Sequence, residues 1–132
     1  MAARKPYVRS MRGWWRRNPF FVRYMAREAT AVFVVGYALI LLSGIVRLSQ
    51  GRSAFDAWIA LIASPASIAL HAVIVVAFVY HTVTWFEIMP KTLPPLELRG
   101  KRVPAAAITG IGLGAAALAS ALLVLIVMAF AR

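Results

Sequence analysis

The sequence predicts an all-α membrane protein with three transmembrane helices. Three observations carry that expectation. Of 132 residues, 62% are hydrophobic and only 14% charged, and the mean hydropathy is +0.79. The apolar residues gather in runs long enough to cross a bilayer, where a soluble core would show short alternations. Between those runs stand prolines, glycines and clusters of Lys and Arg.

Residues 1–28 read as a basic, amphipathic cytoplasmic arm: Arg4, Lys5, Arg9, Arg12, Arg16, Arg17, Arg23 and Arg27 alternate with Tyr7, Trp14, Trp15, Phe20 and Phe21. Ala29 to Val46 then runs without a charge. Eighteen residues at 1.5 Å each cover roughly 27 Å, close to the ~30 Å of hydrocarbon. With the flanking Tyr24 turn the first helix is expected over about 24–48. The run is too long and its basic leader too extended for a signal peptide, and no small-x-small cleavage site follows, so the helix reads as retained.

Residues 29–132 make up the three-helix part. Ala54 to Ala63, where Asp56 alternates with Phe55, Trp58, Ile59 and Leu61, suggests a short helix lying at the membrane surface. Ser64 and Pro65 suit the cap and first position of a second helix, expected over 65–89 and ended near Pro90. Pro94 and Pro95 sit in a polar loop over 90–103. Pro104 opens the third helix, over 104–131, built almost wholly of Ala, Gly, Leu, Ile and Val.

The formal net charge is +11. Its placement sets an orientation: eight Lys or Arg lie before the first span and four in the loop 90–103, against Arg47 and Arg52 in the first connection and Arg132 at the end. Basic loops stay inside, so the N-terminus is expected in the cytoplasm and the C-terminus outside. The same placement along apolar runs makes membrane lipid, and not nucleic acid, the expected partner of the charge. With no cysteine, the chain itself supplies no disulfide, thiolate metal site or iron–sulfur ligand.

Ionisable residues near lipid need a reason. Arg27 and Glu28 stand at the cytoplasmic mouth of the first helix. The second helix descends towards the same side, bringing His81 and, one turn on, Trp85 to similar depth. An acid, a base, an imidazole and an aromatic plate at one depth suit a lipid-soluble ring with polar heads, such as a quinone, whose reduction needs two protons. Glu28 and His81 would relay them. The plainer reading is that Arg27 and Glu28 end the helix at the headgroups and Trp85 is an interfacial aromatic. His71 lies about 15 Å from His81 along the helix, on another face. A haem ligand there would need a second axial histidine from another chain, and a hydrogen bond to a neighbouring helix is the simpler role. Gly110 and Gly114, extended by Ala116 and Ser120, form a small-residue stripe that would admit another helix. A proton-coupled multidrug transporter, with Glu28 as its acid, is the alternative of another class. Such a protein needs its acid near the midplane and usually four helices.

Four stretches go further: Arg4-Lys5-Pro6-Tyr7-Val8-Arg9, Trp14-Trp15, Tyr24-Met25-Ala26-Arg27-Glu28-Ala29-Thr30-Ala31-Val32 and His81-Thr82-Val83-Thr84-Trp85-Phe86-Glu87. Together they resemble the fumarate reductase C-subunit family, over the arm and the first two helices. The resemblance implies a membrane anchor of quinol:fumarate reductase in the cell inner membrane. It implies pairing with the D-subunit of fumarate reductase, a second three-helix anchor, and attachment of an iron–sulfur subunit and an FAD-bearing flavoprotein subunit. It further implies menaquinol oxidation in anaerobic respiration, with Arg27, Glu28, His81 and Trp85 at the quinone site. No haem is expected from the resemblance, which leaves His71 without a role. A succinate dehydrogenase anchor, the same machine run towards quinone reduction, is the close alternative.

Overall fold

The computed structural model describes residues 7, 8 and 10–130; Arg4, Lys5 and Arg9 of the basic arm, and Arg132, lie outside the described residues. After a single 3-10 turn at Trp14–Arg16 come four helices: α1 (Pro19–Ser49), α2 (Arg52–Ile62), α3 (Pro65–Thr92) and α4 (Ala105–Phe130). A two-stranded ribbon, β1 (Glu97–Leu98) with β2 (Lys101–Arg102), joins α3 to α4. Helices α1, α3 and α4 are long and apolar enough to cross a membrane.

Helix α1 begins at Pro19, earlier than the expected start near residue 24, so ten residues of the basic arm are helical. The cause is local. Asn18 adopts an extended backbone and its side-chain oxygen accepts from the Phe20 N–H at 2.9 Å, while Pro19 takes the first position, where a missing N–H costs nothing. Thirty-one residues rise ~46 Å, well beyond the hydrocarbon. The helix is therefore longer than a crossing of the hydrocarbon needs, with Arg23 and Arg27 in its first turns.

Helix α3 is the middle of the row, packed on α1 on one side and α4 on the other. Ser64 caps it, accepting from the Ser67 N–H, with Pro65 at the first position. It ends three residues past the expected residue 89. Pro90 lies inside the last turn, and the helix runs on to Thr92, where the Leu93 N–H closes onto the Met89 carbonyl. A proline inside a helix orphans the carbonyl four residues back, here that of Phe86. The Thr109 hydroxyl of α4 donates to this carbonyl at 3.0 Å. A hydroxyl from a neighbouring helix thus takes the place of the lost N–H, which is how membrane helices tolerate proline.

Next to that bond, the backbone of Gly112 lies directly against the Phe86 ring. A Cβ there would run into the ring's Cδ1 and Cε1, and Gly112 is buried. Gly110 and Gly114, the pair expected to form a packing stripe, face open space: among the described residues, nothing beyond the local helix backbone lies within 4 Å of a Cβ built at either. The intrachain close approach therefore uses the glycine between them.

The surface helix α2 folds back on α1. The Trp58 indole N–H donates to Ser43 Oγ at 3.0 Å, and its ring lies over Gly44, where an added Cβ would approach to 2.8 Å. Further down the α1–α3 seam, Tyr37 meets His71 and Phe78 edge-on at 5.8 and 5.6 Å. Such edge-to-face pairs each contribute about 0.5–1.5 kcal/mol beyond area burial. Ile74 and Ala77 of α3 complete the small buried core. Most other large apolar side chains, including Leu122, Leu123 and Ile126 of α4, stand outward. That surface is intolerable in water and ordinary in lipid, where the surrounding tails are as apolar as leucine.

Candidate functional site

The polar centre of the row is built by facing turns of α1 and α3. Arg27 is the most buried charged residue described, 8% exposed. Its guanidinium lies between two aromatic faces, 5.2 Å from the Trp85 ring centre and 5.3 Å from that of Tyr24. Tyr24 precedes Arg27 by one turn on α1 and Trp85 comes from α3, so the cation is clasped across the helix seam. Cation–π contacts of this kind contribute roughly 0.5–2 kcal/mol, the upper end where water is excluded.

Glu28 sits beside it, with its carboxylate 3.8 Å from Arg27 Nε. That separation is an ion pair but too long for a hydrogen bond. Arg27 Nε is accordingly buried with no hydrogen-bond acceptor. A buried charged donor left unsatisfied costs free energy until an acceptor arrives. Glu28 is far more exposed than Arg27, with 40% of its side chain accessible against 10%. It shares no hydrogen bond with His81 among the described residues.

His81 stands one turn before Trp85, with ring centres 6.0 Å apart and planes tilted by 54°. Both line a cavity of about 350 Å³ together with Thr82, Phe86, Met89 and Thr92. Its volume falls within the ~300–1,000 Å³ usual for ligand pockets, and its lining is mainly apolar with a few polar groups. A second cleft of about 610 Å³ opens between α1 and α3, where Arg23, Arg27, Glu87 and Lys91 contribute charge. The Arg27–Trp85 contact lies between the two.

One residue of this centre escaped the sequence reading. Thr30 Oγ1 lies 2.8 Å from His81 Nδ1 and 2.5 Å from the carbonyl oxygen of Arg27. It is a turn after Arg27, on the same face of α1. A hydroxyl in an apolar helix carries no signal of its own, but its three-residue spacing from Arg27 does.

His71 is set apart from this centre. Its Nδ1 lies 2.7 Å from the Ser67 carbonyl oxygen, and its ring meets Tyr37. The hydrogen bond thus stays within α3, one turn back, and does not reach a neighbouring helix as expected; what crosses to α1 is the ring contact with Tyr37. A donor set for a metal, three or more His, Cys, Asp or Glu side chains together, does not occur among the described residues.

The arrangement suits a flat ring bearing acceptor oxygens. It offers an unspent cationic donor, an aromatic plate, an imidazole and a more exposed carboxylate within one or two helical turns.

A family model described as the C-subunit of fumarate reductase matches residues 2–128. Among curated proteins, the fumarate reductase C-subunit of Vibrio parahaemolyticus is 38% identical over 104 residues, covering 78% of this chain and 81% of its own length. That of Vibrio cholerae is 39% identical over 104 residues, with the same coverage. That of Aliivibrio fischeri is 39% identical over 102 residues, 76% of this chain and 80% of its own.

Proposed function

The chain belongs to the fumarate reductase C-subunit family, a multi-pass membrane protein, and on that premise we propose that it anchors a quinol:fumarate reductase in the inner membrane and forms part of its menaquinol-oxidising site. The N-terminus lies in the cytoplasm. The second anchor, the D-subunit, stands beside it, and the iron–sulfur and flavoprotein subunits dock on the cytoplasmic side, over the Arg27 end of α1. The observation that carries this reading is the buried Arg27, stacked between Tyr24 and Trp85 with its Nε unpartnered.

Each side chain then has a distinct task. Arg27 donates from its guanidinium to a ring oxygen and balances the negative charge that develops there as a proton departs. Trp85 lies against the ring, and His81 hydrogen-bonds at its edge. Glu28, ion-paired to Arg27 and with 40% of its side chain left uncovered by this chain, accepts a proton and passes it on towards solvent. Bound menaquinol supplies two electrons and two protons on oxidation. The protons leave through these side chains; the iron–sulfur and FAD groups of the partner subunits would supply the acceptor for the two electrons.

The experiment is purification in mild detergent through a tag on this chain, followed by menaquinol-dependent fumarate reduction with wild type and Arg27→Leu. Support requires flavin and iron–sulfur absorbance in both preparations and turnover lost in the variant alone. A colourless chain without partners, or an Arg27→Leu complex with full turnover, sinks the proposal.

A further inference from the structure

The Thr30 hydroxyl donates its proton to the Arg27 carbonyl oxygen, which has none to give. A hydroxyl carries a single proton and two lone pairs. With its proton committed to the Arg27 carbonyl, Thr30 Oγ1 meets His81 Nδ1 at 2.8 Å as an acceptor only. The proton on that second contact must come from the ring. In the neutral imidazole only one nitrogen bears hydrogen, so Nε2 is left as a bare lone pair. His81 is half-buried and lines the cavity shared with Trp85.

We propose that Thr30 is a positioning residue for the quinol site: it holds His81 with its proton on Nδ1, so that Nε2 accepts a hydrogen bond from a quinol hydroxyl. This rests on the menaquinol-site reading above and adds a preference to it. A ring with Nε2 as acceptor favours a hydroxyl-bearing quinol over a ligand that offers only acceptor oxygens. The opposite tautomer would reverse that preference. Thr30 touches no ligand in this scheme and acts through His81. The helix supplies the device locally, because a threonine hydroxyl readily bonds the carbonyl one turn back. Here the bond aims the remaining lone pair across the seam at α3.

The test uses the detergent-purified complex and two probes, a 1-naphthol and its methyl ether, which differ in one donatable proton. Wild type should bind the naphthol more tightly. Thr30→Val, which keeps shape and loses the hydroxyl, should lose about tenfold of that preference, the usual worth of one well-made hydrogen bond. Thr30→Ser should retain it. A second measurement needs no Thr30 variant. The nitrogen NMR spectrum of ¹⁵N-histidine-labelled complex, differenced against His81→Gln, should give a protonated Nδ1 and an unprotonated Nε2. Should Thr30→Val keep the wild-type preference while His81→Gln abolishes it, or should the proton sit on Nε2, the role of Thr30 is overturned and the quinol site stands. If wild type binds neither probe, the site reading falls and this inference with it.

Discussion

Replacing Thr109 by valine removes one hydroxyl at nearly constant shape, and the neighbouring proline makes its consequence calculable. Pro90 has no N–H for the Phe86 carbonyl, and the Thr109 hydroxyl donates to it at 3.0 Å instead. Hydrogen bonds between membrane helices contribute ~0.6 kcal/mol on average and at most ~1.7. Leaving a backbone carbonyl unsatisfied costs about 1–3 kcal/mol. The bond is only part-buried, so a cost of about 1–2 kcal/mol is expected for Thr109→Val, from the overlap of those ranges. In a Pro90→Ala background the helix supplies its own N–H, and the same substitution should cost close to nothing. A double-mutant cycle, read by SDS-induced unfolding in mixed micelles with circular dichroism, should therefore return a coupling of about 1 kcal/mol between two residues that never touch through side-chain polar atoms. Equal costs of Thr109→Val in both backgrounds would refute the compensation.

The other predictions concern packing and the site. Gly112→Ala should lower the unfolding midpoint markedly, because the new methyl meets the Phe86 ring, whereas Gly110→Ala should leave this chain's own stability unchanged; equal effects in the same SDS titration would contradict the packing described. Gly44→Ala should displace Trp58 from α1, visible as a red shift of tryptophan emission relative to wild type, and an unshifted spectrum would count against that anchor. Glu28→Gln should reduce menaquinol oxidation about 100-fold, the lower end of what a positioned proton acceptor contributes, while fumarate reduction by a soluble dye stays at the wild-type rate. Unchanged quinol turnover would remove Glu28 from the proton path.

The three spans were legible because their signal is redundant: long uncharged runs, prolines at 65 and 104, and basic residues between them all report the same thing. Their ends were less so. The start of α1 depends on the Asn18–Pro19 cap, which lies among arginines and aromatics that read as an arm. The extension of α3 past Pro90 depends on a hydroxyl in another helix, and no local rule places Thr109 opposite Phe86. The ribbon at Glu97–Arg102 turns through Arg99 and Gly100, both with positive φ, a two-residue turn whose first position lacks the usual Asn or Asp.

The polar centre divides in the same way. Arg27, Glu28, His81 and Trp85 emerged from depth and helical spacing, since charges and imidazoles near lipid are costly enough to attract notice. Thr30 did not, because a threonine in a membrane helix is commonplace until a partner is seen. Gly112 was hidden by its neighbours. Gly110 and Gly114 have the familiar four-residue spacing, yet the face that meets α3 is set by Phe86, a bulky ring that only a glycine opposite it can admit.

The central claim is that menaquinol is held at the Arg27–Trp85–His81 centre, and photoaffinity labelling tests it most directly. The complex, purified through this chain, would be irradiated with a photoreactive naphthoquinone carrying a short isoprenoid tail, and the adducts mapped by mass spectrometry. Adducts are expected on peptides containing Tyr24 to Arg27 and His81 to Met89, and excess menaquinol should suppress them. Adducts confined to the cavity at the other end of α1, lined by Ile40, Ser43, Arg47 and Trp58, and equally suppressed by menaquinol, would contradict it.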